Sequence, residues 1–184
     1  MLRKLVFIYT FVLFGSAGCN KNTPQSHLPA ATQTGTMTFG CVLNGNNAFS
    51  VHGDVVKTGS GFGSSCTGGV SGAYAPDGLH ILAVNCPIET YSVYLTIADT
   101  MVRKGVYNLG NGAASSITVV FQGIYGSSLD TTIRYQCDQT HGGTITFTRA
   151  SASDNIYSAT FSCTLTDGHI SYPVTDGRFD MKVN

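Results

Sequence analysis

From Thr36 to Val183, apolar side chains return at every second position in short runs, and each run ends in a cluster of Gly, Asn, Asp or Ser. A two-residue period gives an extended strand one dry and one wet face, and it cannot make the stripe that a packed helix needs. Tyr91, Val93, Leu95 and Ile97 alternate with Ser92, Tyr94, Thr96 and Ala98, and Phe179, Met181 and Val183 alternate with Arg178, Asp180 and Lys182. Composition agrees. One Glu, five Lys and five Gln are too few to clothe the outer faces of helices, whereas Thr, Val, Ile, Tyr and Phe are plentiful. The chain is 42% apolar over 184 residues, enough for one packed domain and too much for a disordered or collagen-like chain. With no crossover helix in the pattern, a doubly wound fold is excluded. The expected fold is all-β, an antiparallel β-sandwich or partly open barrel of about nine or ten strands over residues 36–184.

Several local expectations follow. Asn44-Gly45 is a hairpin signal between Thr36–Leu43 and Ala48–Val51. Thr58–Gly72 is so rich in Gly that it reads as a long loop, and Pro76-Asp77-Gly78 turns the chain into a near-continuous apolar run, Leu79–Cys86, expected to be central and covered on both faces. Val106, Tyr107 and Leu109, then a small-residue loop, then Ile117, Val119 and Phe121 suggest a further hairpin. Ile133 and Tyr135 share one face of Thr131–Gln136. Ile145 and Phe147 point inward from Thr144–Thr148, facing Tyr157, Ala159, Phe161, Cys163 and Leu165 across the 151–155 turn.

The start of the chain has another character. Arg3 and Lys4 precede ten residues, Leu5–Phe14, that are apolar apart from Thr10, and the small residues Gly15-Ser16-Ala17-Gly18 stand directly before Cys19. This is the layout of a secretory signal peptide, and the apolar run is about half of what a bilayer-spanning helix needs. Small residues before a Cys resemble the bacterial lipobox, which implies a lipoprotein signal peptide over residues 1–18 and acylation of Cys19 as a membrane anchor. Ser16 stands where that motif usually has Leu, so ordinary signal-peptidase cleavage after Ala17 or Gly18 is the competing reading. Residues 19–35, with two Pro and no periodicity, read as a lipidated flexible tether. Export would put Cys41, Cys66, Cys86, Cys137 and Cys163 in an oxidising space. Cys66 and Cys86 flank a candidate hairpin and are the first choice for a disulfide, and the alternative is that several of the five are small buried apolar residues.

Two segments resemble one family. Leu28-Pro29-Ala30-Ala31-Thr32-Gln33-Thr34-Gly35, then Thr38-Phe39-Gly40-Cys41 and Asn44-Gly45, resembles the start of uncharacterised lipoproteins of Bacteroidota that read LPPATQTG, TFGC and NG, with Ala30 in place of the second Pro. Thr175-Asp176-Gly177-Arg178-Phe179-Asp180-Met181-Lys182 is similar to the same family's last strand. The resemblance implies a small β-rich envelope domain on a lipid anchor. It brings no activity. The residues after that anchor, Asn20-Lys21-Asn22-Thr23, lack the acidic cluster associated with surface export in some Bacteroidota lipoproteins, so the expected placement is at the outer membrane facing the periplasm.

Motifs that carry chemistry are sparse. No Gly-x-Ser-x-Gly elbow occurs, the nearest string being Gly59-Ser60-Gly61-Phe62-Gly63. The carboxylates are scattered over turns, where Asp is a favoured turn residue. His80, His141 and His169 stand apart, and no HxH, HExxH or CxxC spacing suggests a metal. No catalytic residue, metal ligand or cofactor is therefore assigned. Formal net charge is zero, which leaves no electrostatic footprint for nucleic acid. Thr144, Thr146 and Thr148 opposite Ser158, Thr160, Ser162 and Thr164 would make a hydroxyl ladder on an outer face, suited to water, a glycan or a partner sheet. Thr100 and Thr131, each after an Asp, are similar to the O-glycosylation acceptors of Bacteroidota. The function expected is that of a lipid-anchored, non-enzymatic binding or structural module with an envelope protein or glycan as partner. The alternative is a small envelope hydrolase or metal-dependent enzyme with a loop-built site.

Overall fold

The computed structural model describes residues 28–45, 47–54, 56–58, 65–85, 89–110, 113–123, 132–138 and 140–183. These form thirteen strands and no helix: β1 (Thr38–Leu43), β2 (Asn47–His52), β3 (Val56–Thr58), β4 (Ser65–Thr67), β5 (Gly69–Ala75), β6 (Gly78–Asn85), β7 (Glu89–Ile97), β8 (Gly105–Gly110), β9 (Ser116–Gly123), β10 (Thr132–Gln136), β11 (Gly142–Ser151), β12 (Ile156–Thr166) and β13 (Ser171–Lys182). Eleven of them make one antiparallel sheet in the order β2-β1-β13-β12-β10-β9-β7-β6-β5, and β3 and β4 pair separately. The sheet curls until its two ends meet, where β2 and β5 touch and a parallel bridge joins Asp54 to Val70. The result is a nearly closed barrel, as the all-β expectation allowed. β11 pairs with β12 over Ile156–Cys163 and β8 pairs with β11, and their Leu109, Ile145 and Phe147 are buried.

The alternation fills the barrel as expected. Val93, Leu95 and Ile97, then Ile117 and Val119, then Tyr157, Ala159, Phe161, Cys163 and Leu165 are all buried. The aromatic centre is a stack in which Phe39 and Phe179, cross-strand partners, lie 6.4 Å apart and nearly coplanar, with Phe147 edge-on to Phe179 at 5.8 Å. Such aromatic contacts add to the area they bury.

Four expectations are corrected. Gly69–Gly72, the end of the segment read as loop, belongs to β5 of the main sheet. A side chain at Gly72 would put its Cβ 2.3 Å from Cε of Met181, so a larger residue there would have to push the buried Met181 side chain aside. β6 is covered on its inner face by the core, but His80 and Leu82 on its outer face are only half-buried. β8 and β9 are not a hairpin: β9 pairs with β7, and β8 leaves to pair with β11, where Tyr107 packs edge-on against Phe147.

The fourth concerns the tether. Residues 28–37 lie on the domain as a strap across the outside of β1, β12 and β13. Pro29 is buried, and its ring fits over Gly40, where a Cβ would sit 2.6 Å from Pro29 Cδ. The strap is held by Asp180, which the alternation had placed in solvent but which is 1% exposed. Its carboxylate accepts hydrogen bonds from the hydroxyls of Thr32 (2.5 Å), Thr34 (3.3 Å), Thr36 (3.0 Å) and Ser158 (2.7 Å). It also accepts from the backbone N–H groups of Thr34 (2.9 Å), Gly35 (2.9 Å) and Thr36 (3.3 Å). Arg149 donates to the Gln33 carbonyl while pairing with Asp154, and Arg178 donates to the carbonyls of Pro29 and Asp176. Burial by itself would raise the pKa of Asp180, but the bonds from Thr32, Ser158, Thr34 and Gly35 outweigh it and hold the carboxyl well below the usual carboxylate range. The two segments that carry the family resemblance are the strap and the strand it grips.

Candidate functional site

A cavity lies at one end of the barrel. The turn after β1, the end of β6, β9, β10 and the β12–β13 hairpin surround this cavity of about 560 Å³, within the size range of small-molecule sites. Phe49, Val119 and Leu165, all buried, are the apolar wall, and Asn44 and Asn85 stand at the rim. The strand period places the aromatic side: Leu165 pairs with Tyr172 across the hairpin, and Tyr135 meets Tyr172 edge-on at 4.8 Å. Desolvation, and then a hydrogen bond with Tyr172, raise the pKa of the Tyr135 phenol, which keeps it a neutral hydrogen-bonding group. Among the described residues, no carboxylate, imidazole or thiol lines the cavity. Its chemistry is that of holding an apolar body with a few polar contacts at the mouth.

The hydroxyl ladder forms in part. Thr144 pairs with Ser162 and Thr146 with Thr160, but a bulge after Phe147 shifts the register so that Arg149, not Thr148, faces Ser158. Ser158 is lost to the ladder because it is buried against Asp180. What remains borders a shallow cleft of about 390 Å³ with Asp176 and Arg178 on its far side.

A third arrangement was not visible in the sequence. Asp138 Oδ1 lies 2.8 Å from His141 Nδ1, and His141 Nε2 lies 3.1 Å from Ser171 Oγ, the atom order of a nucleophilic triad. The Asp138 and His141 half is a local turn in which the backbone N–H groups of Thr140 and His141 donate to the same carboxylate oxygen. Partial desolvation would raise the Asp138 carboxyl, but the bonds from His141 and Thr140 prevail and lower it to about 2. The amides just before Ser171 are spent: Gly168 N–H donates to Thr166 Oγ1, and those of His169 and Ile170 donate to Asp167 Oδ1. They leave no pair of donors for an oxyanion. The Asp-x-x-His spacing is a readable turn, but Ser171, thirty residues further on, carries no signal of its own.

The chain matches no protein-family model, no curated protein and no solved structure. The cavity, the cleft and the Ser171 contact are therefore read from their own geometry.

Of the residues singled out from the sequence, Cys19, Cys86 and Thr131 lie outside the described residues. Cys66 sits in β4 opposite Lys57, with its side chain also outside the description, so the Cys66–Cys86 pair is not placed. Thr100 is exposed in the turn after β7, between Asp99 and an exposed Met101, where a modifying enzyme could reach it. Cys41, Cys137 and Cys163 are buried free thiols. Among the described residues no three His, Cys, Asp or Glu side chains are grouped to hold a metal.

Proposed function

We propose that this chain is a lipid-anchored cell-envelope domain, non-enzymatic, that binds a small and mainly apolar ligand in the mouth of its barrel. The observation that carries the binding reading is the 560 Å³ cavity with apolar walls, a tyrosine pair on one side and two asparagines at the rim. Such a lining suits a ring or short chain that ends in a hydrogen-bonding group. The anchor rests on the small residues before Cys19, and membership of the Bacteroidota lipoprotein family rests on the strap and last-strand motifs. That these two motifs bind each other supports treating them as one signature. The envelope location rests on that membership, and its periplasm-facing placement at the outer membrane rests on the absence of an acidic cluster in Asn20-Lys21-Asn22-Thr23.

Ala48 lines the cavity and is exposed, so Ala48→Trp should crowd the cavity mouth with little effect on the core. Titration with the apolar fluorophore N-phenyl-1-naphthylamine should give saturable binding to the native domain, weakened at least about tenfold by Ala48→Trp. Equal binding by both proteins would remove the cavity as the site. The anchor is tested separately, since Cys19→Ser should abolish acyl labelling and release the protein from membranes.

The Asp138, His141 and Ser171 contacts favour a second reading, a small envelope hydrolase using Ser171 as nucleophile. The spent amides beside Ser171 argue against it. Under the binding reading a fluorophosphonate probe labels neither the native protein nor Ser171→Ala, whereas labelling of the native protein alone would establish the hydrolase.

A further inference from the structure

Besides the junction where β2 meets β5, the barrel has a second weak seam. β12 is tied to β13 along nearly its whole length, but among the described residues its link to β10 is a single pair, Gln136 with Thr166. Among the described residues, the strands from β10 round to β5 join β12 in the ladder order through that rung, the other way round being the bridge between Asp54 and Val70. One residue past the rung on β10 and three before it on β12 lie Cys137 and Cys163. Both are buried, at 8% and 7% exposure, and their thiols are in hydrogen-bond contact across the seam. Two glycines seat them: a Cβ on Gly110 would stand 2.4 Å from Cys137 Cβ, and a Cβ on Gly143 would stand 2.4 Å from Cys163 Cβ. A side chain at either glycine would drive the sulfur atoms out of place.

We propose that Cys137 and Cys163 form a disulfide that clamps this seam, with Cys41 left as a buried free thiol. The pair is placed to react in one direction. Cys163 donates its S–H toward Cys137, which lowers the Cys137 thiol and raises that of Cys163. Cys137 therefore attacks first, on a sulfur of an incoming disulfide such as that of a thiol oxidase or of glutathione. A mixed disulfide forms, and one thiol of the donor leaves with the Cys137 proton. Cys163 then loses its proton and attacks the Cys137 sulfur, releasing the second donor thiol. Two protein thiols are oxidised and one donor disulfide is reduced to two thiols. Cys41 is the less reactive third member, because burial pushes its thiol up to about 12. The clamp also borders the mouth of the cavity, since Tyr135 and Leu165 lie two residues from Cys137 and Cys163 and line it.

The reaction needs an oxidising compartment in the cell, which rests on the proposed export, but its test does not. The purified full chain is refolded either with glutathione disulfide or with dithiothreitol, alkylated after denaturation, digested and mapped. The oxidised sample should yield a peptide linking Cys137 to Cys163 with Cys41 alkylated, and Cys41→Ala should keep the link. Closing a loop of this length should raise the melting temperature by about 5–10 °C over the reduced protein, and Cys163→Ser should abolish that rise. Alkylation of both Cys137 and Cys163 in the oxidised sample, or a link from either to Cys41, would overturn the proposal. A mapped link in a protein that fails to bind the fluorophore would leave the clamp standing and remove only the binding reading.

Discussion

Asp180→Asn should destabilise the domain by about 3 kcal/mol or more and release the strap while the barrel core persists. One carboxylate satisfies three backbone amides and four hydroxyls. A hydrogen bond to a charged acceptor is worth about 1.5–3 kcal/mol, and a buried donor left without a partner costs a similar amount. Asn has one acceptor oxygen, and its NH2 group would face the donors that the second oxygen now accepts. The checks are a urea melt and hydrogen exchange at the amides of Thr34, Gly35 and Thr36, which should lose protection together. The same carboxylate makes a signature in pH. Its folded pKa is depressed, so its stabilisation is fully present above the unfolded value of about 3.9 and drains away as pH falls toward the folded value. Native protein should therefore lose stability steeply below about pH 4, while Asp180→Asn, which has already lost this contribution, should show a flatter curve over the same range. Parallel curves would mean that Asp180 is not ionised in the strap.

Phe179→Ala should cost about 3–5 kcal/mol, in the range of buried aromatic truncations. Phe179 is 3% exposed, pairs with Phe39 in register and stacks on it, and receives the edge of Phe147. Its removal takes a ring from the junction of three strands at once. That is a large share of the stability of a domain this size. Lys182→Ala, three residues on and exposed, should cost a few tenths of a kcal/mol, since a charge in high dielectric contributes little. Equally mild melts for the two variants would take β13 out of the core.

What the sequence showed well was whatever depends on the parity of a single strand. Val93, Leu95 and Ile97, the five inward residues from Tyr157 to Leu165, and Phe179, Met181 and Val183 all fell on the buried face that their alternation assigns. What it hid depends on partners far along the chain. Parity puts Asp180 on the outer face correctly, but the strap that covers that face begins about 150 residues earlier, and no local pattern announces it. β8 looks like the partner of β9 because it is its neighbour in the chain, yet it pairs with β11. Gly72 looks like a loop residue until Met181 is seen to fill the space above it. The cavity and the Ser171 contact are of the same kind, since each joins residues from several strands whose register only the closed barrel sets.

The barrel is sewn shut by its own two ends. β1 has β2 on one side, and its other neighbour is β13, the last strand of the chain, so the first strand cannot be completed until the final dozen residues exist. The strap repeats this dependence, because every bond that holds it to Asp180 spans more than 140 positions. Contacts so distant in sequence form late and slowly. A ribosome or a secretion channel handling this chain from its N-terminus would thus meet paired strands such as β1–β2 and β5–β6–β7, but no closed barrel until almost all of the chain had passed. Under the proposed export, the barrel could not close before its last strand had crossed the membrane.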